Sequence, residues 1–389
     1  MAADSLVEHP LRVAVVHSFY SSRQPSGENH VVEQQVAALG RLGVETLLVD
    51  QRTDDRERSH FYPLQAALTV ATGVGPNPLP LLREFQPDVV HVHNLFPNFG
   101  RTWVRQWDGP LVAHAHNYRA MCPPGSLYRD GHVCTECLDR RSALPSLKHG
   151  CYRGSRLQTL PLALSTRFAR DPVLARAERV IALTDDMREL YARAGVPASR
   201  IDVVANFIPS ADVPQVGPGG DYWVYAGRLA PEKGVLELVE DWQAGRRLVV
   251  AGSGPLEQAV ISAAGRDVEV VGPLTRPRLR ALLAGAVGLL FPSRWLEGLG
   301  LVALEALAVG TPVMAWWPAP AAVLVNELGV GLVGHEDLAT SLDEAEAQFP
   351  LLRRRCREVF DSHFTEQVWA DAIFAVYDRA MACSRSHEP

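Results

Sequence analysis

We expect the 389-residue chain to be an α/β protein with two doubly wound domains, each built on a parallel sheet. Short apolar runs rich in β-branched residues alternate with segments of helical periodicity. This alternation stops at a proline- and glycine-rich stretch and then restarts, and the length suits two hydrophobic cores. The predicted boundaries are 1–208 for the first domain, 209–221 for a linker, 222–362 for the second domain, and 363–389 for a C-terminal helix that crosses back to the first domain.

Composition and charge exclude several classes of protein. The formal net charge of −6 argues against nucleic acid as a partner, because binding to a phosphate backbone needs a basic face. No apolar run approaches the ~20 residues that span a bilayer, and the first thirty residues do not resemble a signal peptide. A cytoplasmic location is therefore expected. Lysine occurs only at Lys148 and Lys233, which singles out both positions in an arginine-rich chain.

The predicted elements follow from the alternation in chain order. In the first domain we expect a helix over 31–42 and strands at 11–17, 44–49, 88–92, 111–115, 179–183 and 201–204. In the second we expect helices from Gly234, Pro255 and Pro277 and strands at 222–226, 247–251, 268–271, 287–291 and 313–315. Parallel sheets of this kind bind ligands outside the carboxyl ends of their strands, so the loops after the strands are the informative ones.

One such loop lies within 294–312, where a glycine turn follows a strand and leads into a helix. The backbone amides of Gly298, Leu299 and Gly300 would lie at the positive end of that helix, where phosphate binds readily. Glu297 precedes them and Glu305 follows inside the helix. Because a carboxylate repels phosphate, these two acids are better suited to hydroxyl groups, such as those of a sugar and a ribose. The alternative is a helix cap with an ordinary surface acid.

A second loop contains Gly227, Arg228 and Lys233 within eight residues after a strand. Arginine offers a planar fork and lysine a compact charge, so the pair suits a bound anion. A solvated turn is the alternative. A further glycine turn, Gly252-Ser253-Gly254, follows the next strand.

Together these three loops, over about 222–320, resemble the donor-binding domain of retaining glycosyltransferases of the GT-B fold, family four. That resemblance implies two Rossmann-like domains facing across a cleft. It implies that Arg228 and Lys233 bind the diphosphate of a nucleoside diphosphate sugar and that Glu297 contacts the donor sugar. The amides near Leu299 and Gly300 would bind the distal phosphate, and Glu305 the ribose hydroxyls. One departure is that Leu299 stands where the family usually has an aromatic residue.

The first domain is where this resemblance places the acceptor. The histidine after the fourth strand, His116, is followed by Asn117-Tyr118-Arg119 as in one subgroup, which implies that His116 lies against the transferring sugar. Three further histidines, His91, His93 and His114, alternate along strands. They are expected to be packed or hydrogen-bonded core residues, with proton carriers or metal ligands as the alternative. The Ser26-Gly27-Glu28 sequence resembles the family's first glycine-rich loop, with Gly27 as its single glycine.

An insertion at about 119–156 carries four cysteines, Cys122, Cys134, Cys137 and Cys151. Their clustering suits a tetrahedral structural zinc, with a group of thiols as the alternative. The insertion is basic after Asp139, which would suit a phosphorylated or membrane-bound acceptor, or simply a solvated surface.

The sequence thus predicts a retaining glycosyltransferase that transfers a sugar from a nucleoside diphosphate sugar to a hydroxyl acceptor, without a catalytic cofactor. The Asp185-Asp186 pair is interpreted as the acidic first turn of a helix rather than a metal site. The alternatives are a sugar-nucleotide isomerase or epimerase on the same scaffold, and a non-enzymatic sugar-nucleotide-binding regulator. The donor base, its sugar and the acceptor stay open.

Overall fold

The computed structural model describes residues 10–385 except 24–25, 210–212, 214 and 299. It divides into two compact units. The first comprises Met1–Gly125, Cys137–Val204 and Ala370–Pro389, and the second comprises Ser126–Glu136 and Ala205–Trp369. The end of the chain therefore groups with the first unit, and the middle of the cysteine insertion groups with the second.

The strands and helices are short and alternate along the chain. The strands are β1 (Arg12–Phe19), β2 (Glu45–Arg52), β3 (Val89–Asn94), β4 (Leu111–His114), β5 (Tyr128–Arg129), β6 (His132–Val133), β7 (Arg179–Ala182), β8 (Ile201–Val203), β9 (Tyr222–Ala226), β10 (Arg247–Ala251), β11 (Val268–Gly272), β12 (Leu289–Phe291), β13 (Val313–Ala315) and β14 (Gly331–Val333). The helices are α1 (Gly27–Arg41), α2 (Thr53–Arg56), α3 (Tyr62–Thr72), α4 (Leu79–Phe85), α5 (Glu136–Asp139), α6 (Leu144–His149), α7 (Arg156–Ser165), α8 (Pro172–Arg176), α9 (Asp185–Arg193), α10 (Val235–Glu240), α11 (Glu257–Ala263), α12 (Arg276–Ala284), α13 (Leu301–Ala308), α14 (Pro320–Leu328), α15 (Leu338–His363) and α16 (Glu366–Arg385).

The first unit has a six-stranded parallel sheet in the order β2-β1-β3-β4-β7-β8. Its strands are apolar because both faces are covered; β3 is buried along its whole length. The strand order reverses between β1 and β3, and there His17 pairs in register with Asn94. Ligands of doubly wound sheets bind outside the strand ends at such a reversal.

The second unit has a six-stranded parallel sheet in the order β11-β10-β9-β12-β13-β14. Here the strand order reverses between β9 and β12. The loop with Arg228 and Lys233 follows β9, and the loop with Glu297 follows β12. Helix α15 covers part of the core: Phe349 contacts Trp223 of β9, with their ring centroids 5.6 Å apart. The doubly wound α/β fold expected from the alternation is therefore confirmed in both units.

Three elements of the second unit, α14, β14 and α15, were not predicted. The strand β14 consists of only three residues and begins with glycine, so it carries little periodic signal. Helix α15 continues through Pro350, although a proline inside a helical pattern normally indicates a break. Among the described residues, no helix is both long and apolar enough to traverse a bilayer.

Candidate functional site

In the second unit, the glycine turns after β9 and β10 lie backbone against backbone. The N–H of Gly227 donates to Ala251 O, and the N–H of Leu229 donates to Ser253 O, at 3.0 and 2.9 Å. A Cβ at Gly252, where φ is +144°, would lie 1.8 Å from Gly227 O. No side chain fits in that space, so only glycine at position 252 allows the two loops to pack this closely.

The loop after β9 also packs against the loop after β12. A short 3₁₀ helix, Pro231–Lys233, ends at Gly234 with a left-handed φ of 66°. A Cβ on Gly234 would lie 2.3 Å from Pro292 O. This close approach brings Lys233 to the residues that follow β12.

Lys233 and Glu297 form an ion pair at the point where the strand order reverses. The Nζ atom of Lys233 lies 2.5 Å from Oε2 of Glu297, and the hydroxyl of Ser293 donates to Oε1 at 2.6 Å. Both charged side chains are mostly buried, with 18% and 11% of their surface exposed. We refer to Arg228, Lys233, Ser293 and Glu297 as the strand-end cluster.

Arg228 is the exposed member of the strand-end cluster. Its carbonyl oxygen accepts a hydrogen bond of 2.8 Å from the hydroxyl of Tyr225 on β9, which fixes the backbone of the loop. Its side chain is exposed, and within the described part of the chain its guanidinium has no ion pair.

The glycine loop that follows β12 leads into helix α13, as expected. Helix α13 begins at Leu301, with Gly300 at its N-cap position. A Cβ on Gly300 would lie 2.7 Å from the ring of Phe291, so this position favours glycine. Gly298 lies in the loop ahead of it, and Leu299 lies outside the described residues.

Glu305 lies inside α13 and is almost fully buried, with 1% of its side chain exposed. Its Oε2 atom accepts a hydrogen bond of 2.7 Å from Arg276 Nη1, and its Oε1 atom lies 3.7 Å from Arg280 Nε. Both arginines are on α12. Neither arginine is identifiable from the sequence alone, because their spacing in α12 carries no signal that they face another helix.

In the first unit, histidines converge on one face of the sheet. We refer to His17, His91, His93, His114 and His116 as the histidine cluster. The ring centroids of His91 and His93 are 4.2 Å apart, those of His93 and His114 4.8 Å, and those of His114 and His116 4.3 Å. This confirms that each pair shares a sheet face.

Hydrogen bonds connect most of these rings. The Nδ1 atom of His91 is 2.8 Å from the hydroxyl of Tyr377 on α16, and its Nε2 atom is 3.2 Å from His114 Nδ1. His93 Nδ1 and His116 Nε2 share a hydrogen bond of 2.8 Å. Among the described residues, the Nε2 atoms of His93 and His114 are buried without a hydrogen-bond partner.

Burial keeps the histidine cluster uncharged. Desolvation lowers the pKa of His17 to about 4 and that of His91 to about 3. Desolvation also lowers the pKa of His93, His114 and His116 well below the ordinary value, and the neighbouring imidazoles add to the effect. These rings are therefore neutral near pH 7.

A cavity of about 140 Å³ opens beside the histidine cluster at the ends of β3 and β4. Its polar lining consists largely of side chains that donate or accept hydrogen bonds without carrying charge: His93, Asn94, His114, His116, Asn117 and Tyr191, together with Arg119 and the Arg101–Asp171 ion pair.

Glu28 lies near this cavity, in the first turn of α1. Its Oε2 atom accepts a hydrogen bond of 3.4 Å from Asn117 Nδ2, and its Oε1 atom is buried without a partner among the described residues. Desolvation raises the pKa of Glu28 to about 7, although Arg119 and Asn117 oppose that rise. In the sequence, Glu28 stands out only as a neighbour of Gly27, which is the first residue of α1.

Asp185 and Asp186 lie in the first turn of α9, as expected. The hydroxyl of Thr184 caps the helix by accepting a hydrogen bond from the N–H of Met187 at 3.2 Å. Two carboxylates at this end of a helix stabilise it through the helix dipole.

The four cysteines of the insertion lie in separate turns and a short helix. Cys122 and Cys137 are buried, and Cys134 and Cys151 are half-buried. The N–H groups of Cys122 and Cys151 donate to Tyr118 O and Ser146 O, while that of Cys134 donates to Leu127 O. Cys134 belongs to the stretch grouped with the second unit, and the other three belong to the first.

Two family models cover most of the chain. Residues 25–212 match the model of Glycosyltransferase Family 4, and residues 220–347 match that of Glycosyl transferases group 1. The two matched ranges are separated by residues 213–219.

Curated relatives carry glycosyltransferase names. The chain is similar to a 2-deoxystreptamine N-acetyl-D-glucosaminyltransferase of Streptomyces fradiae, with 31% identity over 73% of this chain and 70% of the relative. It is similar to a glycogen synthase of Mycobacterium tuberculosis, with 28% identity over 79% and 72% of the two chains. A D-inositol 3-phosphate glycosyltransferase of Mycolicibacterium smegmatis is 25% identical over 98% and 94%.

Solved structures share the fold. Sucrose-phosphate synthase from Thermosynechococcus elongatus superposes with a TM-score of 0.66 and 18% identity, covering 96% of this chain and 100% of that one. Anabaena HepE, solved in complex with UDP, superposes with a TM-score of 0.59 and 14% identity, covering 95% and 100%. With both sheets, both family models and these relatives in agreement, the chain belongs to the family-four (group 1) glycosyltransferases of the GT-B fold.

Proposed function

We propose that this glycosyltransferase transfers a sugar from a nucleoside diphosphate sugar to a hydroxyl group, with retention of configuration at the anomeric carbon. The observation that carries the proposal is the strand-end cluster. It combines an exposed guanidinium, Arg228, with a buried lysine–carboxylate pair at the reversal of a parallel sheet. That arrangement suits a ligand with an anionic part and a hydroxyl-bearing part.

The role proposed for each residue of the strand-end cluster follows from the charge of its side chain. Arg228 and Lys233 would bind the diphosphate, and the backbone amides near Gly227, Gly298, Leu299 and Gly300 would contribute hydrogen bonds to donor oxygens. Glu297, positioned by Ser293, would accept hydrogen bonds from hydroxyls of the donor sugar. HepE was solved with UDP and with UDP-glucose, which supports a nucleotide-sugar donor here.

Glu305 would hold the ribose hydroxyls of the donor, as the family resemblance implies. In the structure its Oε2 atom is already bonded to Arg276. Arg276 is one-third exposed, so its side chain can move aside at lower cost than the buried Arg280. Ribose binding at Glu305 would therefore involve displacement of Arg276.

In the reaction, the bond between the anomeric carbon and the diphosphate oxygen breaks while the acceptor oxygen bonds to the same face of that carbon. The acceptor proton passes to an oxygen of the leaving diphosphate. Arg228 and Lys233 would stabilise the negative charge that develops on the diphosphate, a type of assistance that often contributes most to catalysis. The resemblance assigns His116 the position against the transferring sugar, and the neutral state of His116 suits a hydrogen bond to a hydroxyl.

The acceptor is proposed only as a hydroxyl compound. The names of the relatives refer to glycogen, D-inositol 3-phosphate and 2-deoxystreptamine, which differ in charge but all carry hydroxyl groups. Contact of the basic part of the insertion with a membrane surface, and a cytoplasmic location, both stay predictions of the sequence.

We also propose a structural zinc on Cys122, Cys134, Cys137 and Cys151. Four thiolates are a donor set that zinc prefers, and two of the four are buried as structural ligands usually are. Elemental analysis of purified protein tests the proposal. A zinc content that falls by one equivalent per chain in Cys134→Ser supports it, whereas an unchanged zinc content in folded Cys134→Ser, or absence of zinc from protein purified without chelator, overturns it.

A thermal-shift screen with UDP, GDP, ADP and TDP sugars tests the donor assignment. The true donor at ~100 times its dissociation constant should add about 2.7 kcal/mol to the free energy of unfolding. If the enzyme also converts the donor in the absence of any acceptor, the isomerase alternative gains support instead.

A further inference from the structure

The histidine cluster contains a group with the arrangement of a metal site, separate from the strand-end cluster. His91, His93 and His114 each offer one ring nitrogen, and these three nitrogens lie within 4.8 Å of one another. His91 and His93 alternate on β3, and His114 is on the adjacent strand β4. The sheet therefore fixes the three Cβ positions on one face before any ion binds.

The distances need little change to accommodate an ion. Two ligands of a tetrahedral zinc with bonds of 2.0–2.1 Å are about 3.3 Å apart. His91 Nε2 and His114 Nδ1 are already 3.2 Å apart. Bringing the third nitrogen closer needs a rotation of an imidazole about χ2, and this torsion has a broad, soft energy profile.

The outer nitrogens of His91 and His93 also have the partners that metal-bound histidines require. A metal-ligating imidazole normally uses its other nitrogen in a hydrogen bond that orients the ring. His91 Nδ1 has the Tyr377 hydroxyl at 2.8 Å, and His93 Nδ1 has His116 Nε2 at 2.8 Å. The Nε2 atom of His93 is left buried without a partner among the described residues. An ion would supply that missing interaction.

We propose that His91, His93 and His114 bind one divalent transition-metal ion. Neutral imidazoles favour zinc, cobalt, nickel or copper, whereas magnesium and calcium prefer oxygen ligands. His93 and His114 also line the cavity at the ends of β3 and β4, so a water molecule or a hydroxyl from the cavity can complete the coordination. The site does not depend on the proposed transferase reaction.

The test is a Co²⁺ titration of chelator-treated protein in a Cys134→Ser/Cys137→Ser background, which removes thiolate ligands of the insertion. We expect one Co²⁺ per chain, with visible d–d bands and no near-ultraviolet thiolate charge-transfer band, and we expect Zn²⁺ to displace it. His93→Asn should abolish the bands, and Tyr377→Phe should weaken Co²⁺ binding by roughly 10- to 100-fold.

His60→Asn, at an exposed histidine, is the matched control and should bind Co²⁺ normally. Circular dichroism and a thermal melt establish that each variant is folded. Absence of Co²⁺ binding in the serine background overturns the proposal, and so does binding that survives in folded His93→Asn. Co²⁺ d–d bands that are present in the unsubstituted protein and vanish in the folded serine background would assign cobalt to the cysteines alone and would equally overturn it.

Discussion

Lys233 Nζ lies 2.5 Å from Glu297 Oε2, so the charge of this lysine is already paired before any ligand binds. A diphosphate that approaches the strand-end cluster must share Lys233 with Glu297, while Arg228 is exposed and has no ion pair within the described residues. Arg228 is therefore suited to the first encounter with the donor, and Lys233 to the charge that develops during bond cleavage.

Lys233→Ala tests this division of roles. We expect turnover to fall by at least ~10²-fold, the scale of removing one charge-stabilising group from a transition state. Steady-state kinetics with saturating donor measure the effect. Lys148→Ala is the matched control, since Lys148 is the other lysine of the chain and is exposed. Turnover of Lys233→Ala close to that of Lys148→Ala would remove Lys233 from the mechanism.

Glu305 is expected to affect both stability and donor binding. Glu305→Ala removes the acid partner of a buried ion pair and leaves Arg280 buried, which costs roughly 3–5 kcal/mol in the free energy of unfolding. Turnover should also fall by at least ~10²-fold if Glu305 holds the donor ribose. Both are measured below the melting temperature of the variant.

Arg276→Ala separates these two roles of Glu305. Arg276 is one-third exposed, so its removal should cost less stability than Glu305→Ala. If ribose binding requires Arg276 to move aside, this variant should bind donor at least as tightly as the wild type. Weaker donor binding in a stable Arg276→Ala protein would argue that the arginine itself contacts the donor.

The histidine cluster should make the fold sensitive to acid. The folded-state pKa of each ring lies below about 6.5, the value in the unfolded chain, so the unfolded state binds more protons below that pH. The stability that neutral burial provides is present above pH 6.5. It is lost progressively as the pH falls towards about 4 for His17 and about 3 for His91.

Urea unfolding at several values of pH between 7 and 5, with EDTA present, measures this loss. His91→Gln should reduce the slope of the unfolding free energy against pH by up to about 1.4 kcal/mol per pH unit, because one proton fewer is taken up on unfolding. His60→Asn should leave the slope unchanged. An unchanged slope in His91→Gln would mean that His91 is charged in the folded protein.

Glu28 should affect the pH dependence of stability in the opposite direction to the histidine cluster. Its folded-state pKa of about 7 lies above the ordinary value of 4.5, so its protonated form stabilises the fold below pH 4.5 and this contribution is lost as the pH rises through 7. Glu28→Gln keeps the shape without the charge. We expect Glu28→Gln to gain stability relative to wild type above pH 7, measured by thermal unfolding at pH 6 and pH 8. A loss at pH 8 would indicate that the ionised carboxylate is the stabilising form.

The sequence predicted the two sheets and the three loops of the second unit because their signals are local. Gly234, Gly252 and Gly300 stand where the backbone approaches other groups too closely for a side chain, and such positions are visible as glycine turns after apolar runs. Contacts between side chains that are distant in the sequence carry no such local signal. The contacts of Glu305 with Arg276, and of His91 with Tyr377 286 residues away, depend on tertiary packing and became apparent only in the structure.

The most direct test of the proposed reaction is the configuration of the product. With the donor found by thermal shift and a hydroxyl acceptor, ¹H NMR of the product reports the anomeric configuration of the new glycosidic bond. Our account expects the new glycosidic bond to have the same anomeric configuration as the donor. A product of inverted configuration would contradict the retaining mechanism, and conversion of the donor without transfer to any acceptor would contradict the transferase assignment itself.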